Sequence, residues 1–124
     1  MQNKRFRFGP LALTTTLTTN ILNPGAASGG VGAGTPNLYI LLKHVRITNK
    51  HATVAATVSL WLGATGANTA GTEIGYSTTA IPAAGGISDW YPVDLRLDVA
   101  DFLVGGSNTA TALTIEGEGE IGIA

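Results

Sequence analysis

Residues 37–50 read NLYILLKHVRITNK, and residues 52–63 read ATVAATVSLWLG. Both stretches alternate in polarity every second residue, which is the period of a β-strand whose successive side chains point to opposite faces. The first half of the earlier stretch is apolar on both faces, as in a central strand of a packed sheet. The polar residues 49–51 between the two stretches predict a turn, so that the two strands would form a hairpin.

Strict alternation also predicts which side chains of these strands share a face. In the first strand, one face would carry Tyr39, Leu41, Lys43, Val45 and Ile47. The opposite face would carry Leu38, Ile40, Leu42, His44 and Arg46. In the second strand, an apolar stripe leaves Trp61 on the other side, where a large aromatic is either covered by a second layer or exposed as a contact surface.

The rest of the chain repeats the same period. Strands are expected in RFRF and LALTTTLTT near the N-terminus and in residues 73–81, 88–97 and 109–123, whereas GATGANTAGT, PAAGG and VGGSN read as turns. The stretch DVADFL (98–103) fits one helical turn. About seven or eight short strands predict an all-β, single-domain β-sandwich that is jelly-roll-like. Its expected parts are an N-terminal arm (1–22), a glycine-rich loop (23–37) and the sandwich body (38–124).

Composition narrows the classes of protein that the chain can belong to. The 124 residues are 12% charged and include 17 glycines, which suits sheets joined by tight turns. Cysteine is absent, which excludes disulfides and thiolate metal sites. No apolar block of a signal peptide follows the basic N-terminus, and no stretch reaches the roughly 18 apolar residues of a membrane helix. We expect a soluble chain with no membrane partner.

Charge is distributed unevenly along the chain. Residues 1–50 hold six of the seven basic residues and no acid, whereas all eight acids follow residue 50. Such polarity bears on association rather than on fold. The basic residues form no dense patch, so we expect no direct binding of nucleic acid.

The segment TIEGEGEIGI (114–123) places three carboxylates two residues apart. In a strand, Glu116, Glu118 and Glu120 share one face at intervals of roughly 7 Å, so they lie in a row instead of curling around one metal ion. They either face water or meet a second row of opposite charge. Arg5 and Arg7 in NKRFRFG have the same spacing, so pairing of the two segments would set arginines against glutamates and phenylalanines against isoleucines.

Other candidate sites are weaker. No acid lies near His44 or His51 in sequence, no serine has the surroundings of a nucleophile elbow, and we predict structural or surface roles for both histidines. A cluster of aspartates after two aromatic residues is compatible with a carbohydrate site, although aspartates near turns also cap backbone donors. These aspartates are Asp94, Asp98 and Asp101. We therefore expect no catalytic residues, no metal and no cofactor.

The pattern from YILLKHVRITNKHATVAATVSLWLG to GISDWYPVDLRLDVADFLVGGSNTATALTIEGEGEIGI resembles that of small all-β structural proteins of tailed bacteriophages. The resemblance covers about residues 38–124. It implies a capsid cement or decoration protein, a virion protein that forms oligomers at symmetry axes and joins neighbouring capsomers. It implies no catalytic residues.

From these patterns we expect a non-enzymatic protein, made in the host cytoplasm and located on the capsid surface of the virion. Its partners would be copies of itself, as a homotrimer, and the major capsid protein or another virion protein. The alternatives are a phage tail, head-completion or fibre protein, and a carbohydrate-binding β-sandwich module. The residues that we predict at interfaces are Lys4, Arg5, Phe6, Arg7, Phe8, Trp61, Trp90, Tyr91, Glu116, Glu118 and Glu120.

Overall fold

A computed structural model describes residues 2–24, 37–93 and 95–123. These residues form strands and connecting turns, as the alternating pattern predicts. The predicted glycine-rich loop at 23–37 falls almost entirely outside the described residues, as does Asp94 of the predicted carbohydrate cluster. The strands are β1 (Gln2–Ala12), β2 (Asn20–Leu22), β3 (Asn37–Asn49), β4 (Ala56–Gly63), β5 (Thr79–Ile81), β6 (Ile87–Trp90), β7 (Leu95–Asp98), β8 (Phe102–Ser107) and β9 (Leu113–Ile123).

The strands form two antiparallel sheets, which confirms the all-β sandwich. The first sheet has the order β1-β9-β3-β6, and β7 pairs with β3 beside β6. The second has the order β2-β8-β4-β5. Apolar side chains from both sheets form one core, to which β1 contributes Phe6 and Phe8. The jelly-roll winding and a separate arm stay predictions, and β1, from the predicted arm region, is an edge strand of the first sheet.

The predicted hairpin between β3 and β4 is wrong, because the two strands belong to different sheets. The turn after β3 carries the chain across the core, and the buried side chain of Asn49 secures the crossing. Its Nδ2 donates to the carbonyl oxygens of Val54 and Ile81, at 3.0 and 2.9 Å. Its Oδ1 accepts from the amide of His51. A polar turn alone does not reveal whether the chain returns to the same sheet.

A β-bulge at Lys43 overturns the predicted faces of β3. Leu42 pairs with Gly119 and His44 with Glu118, so Lys43 is an extra residue in the ladder. Lys43 and His44 therefore both lie toward the outer face, and the alternation restarts one residue later. The inward, fully buried residues are accordingly Ile40, Leu42, Val45 and Ile47.

The predicted turn VGGSN and the predicted helical turn at 98–103 are also wrong. Residues 102–107 are the strand β8, which lies between β2 and β4, and only the tight turn from Asp98 to Asp101 precedes it. A side chain at Gly105 would overlap the carbonyl oxygen of Ser59, and one at Gly106 would lie 2.7 Å from the carbonyl oxygen of Thr14. These glycines are needed for close backbone approach inside a sheet.

Other predicted strands are shorter than the alternation suggests. The segment 73–81 contributes only β5, and the segment 88–97 is divided into β6 and β7. β6 ends before residues 91–93, where Pro92 cannot donate to a ladder. Two short strands with a protruding connection therefore pair with β3 along this side of the sheet.

Candidate interaction surface

The outer face of the first sheet carries rows of charge whose sign alternates from strand to strand. β1 provides a cationic row, β9 an anionic row and β3 a second cationic row, and β6 adds an aspartate. We call this surface the charged face. Its members are Arg5, Arg7, Lys43, His44, Arg46, Asp89, Glu116, Glu118 and Glu120.

The predicted register, in which the arginines of β1 lie opposite the glutamates of β9, is confirmed. β1 and β9 are antiparallel neighbours, and Arg5 lies opposite Glu120 while Arg7 lies opposite Glu118. The expectation that phenylalanines would face isoleucines is wrong, because Phe6 and Phe8 lie opposite glycines.

Bulky inward groups explain the glycines between the glutamates. A side chain at Gly117 would overlap the ring of Phe8, and one at Gly119 would overlap the carbonyl oxygen of Leu41. The alternating glycines therefore leave room on the inner face for the phenylalanine of β1 and for the bulged backbone of β3.

Glu120 and Glu118 lie close to basic side chains of β3 rather than of β1. Lys43 Nζ lies 2.6 Å from a carboxylate oxygen of Glu120. His44 Nδ1 lies 3.7 Å from a carboxylate oxygen of Glu118. Within the described part of the chain, Arg5 and Arg7 have no carboxylate at ion-pair distance.

Asp89 is the centre of a second polar cluster on the same face. Arg46 Nε donates to its Oδ1 at 2.8 Å, and His44 Nε2 lies 2.7 Å from the same oxygen. The hydrogen bonds with Arg46 and then with His44 hold the pKa of the Asp89 carboxyl below its usual value. The same bond to Asp89 raises the pKa of Arg46. The His44 ring also stacks on Tyr91, with centroids 4.6 Å apart.

The side of the sheet formed by β6 and β7 exposes large apolar side chains. Val93 is 95% exposed and Tyr91 is 68% exposed in the connection between the two strands. Ile87 at the start of β6 and Val99 after β7 are each more than half exposed. We call these four residues the apolar edge. Tyr91 and Val93 lie in the same connection, whereas Ile87 and Val99 lie toward opposite ends of β3, because Ile87 pairs with Thr48 and Asp98 pairs with Tyr39. Exposed apolar side chains that lie close together often mark a contact surface.

The structure divides the predicted interface residues into two groups. Phe6, Phe8 and Trp61 are buried inside this chain, and Trp90 is half-buried against the core. Lys4, Arg5, Arg7, Tyr91 and Glu118 are exposed, and Glu116 and Glu120 are half-buried on the charged face. The interface itself stays a prediction, but three of its four phenylalanine and tryptophan residues have little surface to offer.

Sequence reasoning missed the three valine and isoleucine members of the apolar edge. Single apolar residues beside turns are common on surfaces and carry no clear pattern. The available signal was the unit YPV at 91–93, in which two large apolar residues flank a proline. Because a proline interrupts a central strand, its neighbours were candidates for exposure.

His51 has a structural role, as predicted. Its Nδ1 accepts hydrogen bonds from the amides of Thr53 and Val54, at 3.2 and 3.1 Å, and so shapes the connection to β4. Among the described residues, no group of three or more histidine, aspartate or glutamate side chains is arranged to hold a metal ion.

Comparison with known proteins finds no matching family model, and no curated protein or solved structure has significant similarity to the chain. In the described residues, no helix has the length and apolar character needed to cross a membrane.

Proposed function

We propose that the chain is a non-enzymatic structural protein of a tailed-phage virion, a cement protein that forms oligomers on the capsid surface. The observation that supports this role best is the apolar edge, where Tyr91 and Val93 project from the connection between two short strands. Solvation of such side chains is unfavourable, and burial against a neighbouring molecule removes their apolar area from water.

The apolar edge is the contact between copies in this proposal. In a ring of three, each copy presents one surface to the next copy and a different surface to the previous one, so the contact is heterologous. One such contact needs only modest free energy, because a shell binds many copies at once.

Light scattering after size-exclusion chromatography tests the contact. Wild type is expected to elute as a trimer, and a Val93→Ser, Val99→Ser variant as a monomer. Val54→Ser is the matched control, because Val54 is also exposed, at 44%, but precedes β4 in the second sheet. A wild-type monomer at high concentration, or dissociation caused equally by Val54→Ser, contradicts the proposal.

The location in the virion needs its own measurement. In purified particles of a tailed phage that encodes this chain, immunogold label is expected over the head. Label confined to the tail favours a tail, head-completion or fibre protein, and particles without label contradict a virion role.

The alternative of a carbohydrate-binding module draws less support. Sugar-binding surfaces use exposed aromatic rings, whereas Trp61 is 5% exposed and Trp90 packs against the core. Tyr91 is more exposed than Trp61 and Trp90, but its ring is already stacked on His44.

A further inference from the structure

β1 is the longest edge strand in the described part of the molecule. It has 11 residues, pairs with β9 on one side and pairs with no other described strand. The other edges are formed by strands of three or four residues. A long edge presents a row of backbone N–H and C=O groups that can pair with one more strand.

The two arginines on this edge have no ion-pair partner among the residues that the structure describes. Arg5 and Arg7 are exposed, and no carboxylate among the described residues lies at ion-pair distance from either. The glutamates opposite them are close to β3 instead, with Glu120 on Lys43 and Glu118 nearest His44. Two cations at strand spacing therefore remain available at the open edge.

The side of β1 that pairs with β9 shows which kind of strand matches the spacing of Arg5 and Arg7. There β9 runs antiparallel and places one glutamate opposite each arginine, two residues apart. A strand added on the outer side would run beside the same two arginines. Carboxylates at alternate positions of that strand would lie on the charged face, next to Arg5 and Arg7.

A second copy of β1 does not satisfy this requirement. Antiparallel pairing of two β1 edges centred on Phe6 would set Arg5 of each copy against Arg7 of the other, and like charges directly opposite one another destabilise a strand pair. No other register supplies the missing carboxylates, because β1 contains no acidic residue. The acidic strand of a second copy is also unavailable, because β9 is paired on both sides within its own sheet.

We infer that the β1 edge is a strand-addition site for an extended acidic segment of another protein, with carboxylates two residues apart. The inference rests on the proposed function, since the proposed cement protein would then bind a second partner besides its own copies. It also separates the two contacts: the apolar edge joins copies, and the β1 edge receives a strand of different chemistry.

A labelled peptide with the sequence LTIEGEGEIGI, capped at both ends, is the probe. It copies residues 113–123, which already match β1 in register. Fluorescence anisotropy is expected to show saturable binding to wild type that weakens with added salt. A peptide with glutamine in place of the three glutamates is expected to bind at least about tenfold more weakly.

Protein variants locate the site. Arg5→Gln with Arg7→Gln is expected to weaken binding at least about tenfold, whereas Arg96→Gln is the matched control and should bind like wild type. Arg96 is also an exposed arginine in the same sheet, but it lies on β7, where it pairs with Asp98 at 2.7 Å. Circular dichroism checks that each variant is folded.

Hydrogen exchange distinguishes strand addition from loose attraction. The complex is expected to slow exchange of amides in β1 and to leave β6 and β7 unchanged. The inference is overturned if the glutamate peptide does not bind, if the glutamine peptide binds equally well, or if the double arginine variant retains full affinity. Faster exchange in β9 would also overturn it, because the peptide would then be displacing the internal strand.

The proposed trimer and the proposed strand-addition site can be contradicted independently of each other. Light scattering reports on the apolar edge and does not require the peptide, and peptide binding does not require a trimer. A monomer that binds the peptide would contradict the proposed trimer alone, and a trimer that ignores the peptide would contradict this inference alone.

Discussion

The two sides of the first sheet end in different ways. The β1 side is one long strand with exposed cations on one face and buried phenylalanines on the other. The β6 and β7 side is two short strands separated by a protruding connection with exposed apolar residues. Natural sheets protect their edges from uncontrolled pairing by charge, by proline or by short strands. The β1 side carries charge on Arg5 and Arg7 and is interrupted only near its end, by Pro10 and a register shift between Phe8 and Leu11, whereas the other side is divided into two short strands.

In the proposed assembly, this difference would let one sheet bind two kinds of partner. Positive charge on a long edge strand disfavours pairing with basic strands and favours pairing with acidic ones. It therefore makes backbone pairing at that edge selective for the partner strand. An interrupted side offers little backbone for pairing, and its contacts depend on apolar side chains. Three sets of variants test this contrast between the two sides of the sheet.

The largest effect is expected from Phe6→Ala on the β1 side. Phe6 is 2% exposed, so truncation leaves a cavity and should lower the free energy of unfolding by about 3–5 kcal/mol. Val93→Ser on the other side is the contrast and should change it by less than about 0.5 kcal/mol. Urea denaturation measures both. A loss below about 1 kcal/mol for Phe6→Ala would mean that β1 is a detachable arm and not part of the core.

A smaller effect, which disappears in acid, is expected from Asp89→Asn on the β6 side. The pKa of the folded Asp89 carboxyl lies below its unfolded value because Arg46 and His44 bind the charged form. The stabilisation is therefore present above the unfolded pKa of about 3.9 and is lost as the pH falls through the folded pKa. Unfolding free energies measured from about pH 5 to about pH 2 should show the wild-type advantage shrinking. A constant difference across that range would contradict the assignment.

The smallest effect is expected from Arg5→Gln with Arg7→Gln. Neither arginine has an ion-pair partner among the described residues, so the unfolding free energy should change by less than about 0.5 kcal/mol. Thermal denaturation at low and high salt measures it, with Lys43→Gln as the contrast, because Lys43 pairs with Glu120. A large loss for the arginine variant would show that the β1 cations stabilise the fold and are not reserved for a partner.

The sequence predicts much of the local structure because strand period and charge spacing are local properties. The equal spacing of RFRF and EGEGE predicts that Arg5 and Arg7 lie opposite glutamates, and the register confirms it. The bulge at Lys43 could not be read in the same way. It depends on how β3 meets β9, and one inserted residue reverses every face that follows it.

The same limit applies to glycine. In VGGSN the pair Gly105-Gly106 has the composition of a turn, and the close approach of β4 and of residue Thr14 to these glycines appears only in three dimensions. The burial of Trp61 could not be predicted from the sequence for a related reason. Trp61 lies off the apolar stripe of β4, and strand periodicity does not say that other segments of the chain cover that face.

β9 has a consequence for how the protein is made. It comes last in sequence among the described strands. In the sheet, however, it lies between β1 and β3 and pairs with both along most of its length. On the ribosome, β1 and β3 emerge early and must wait, with their apolar faces uncovered, until residues 113–123 leave the exit tunnel. We expect the first sheet to close late and in one step, a timing that protease resistance of ribosome-arrested chains of increasing length would reveal.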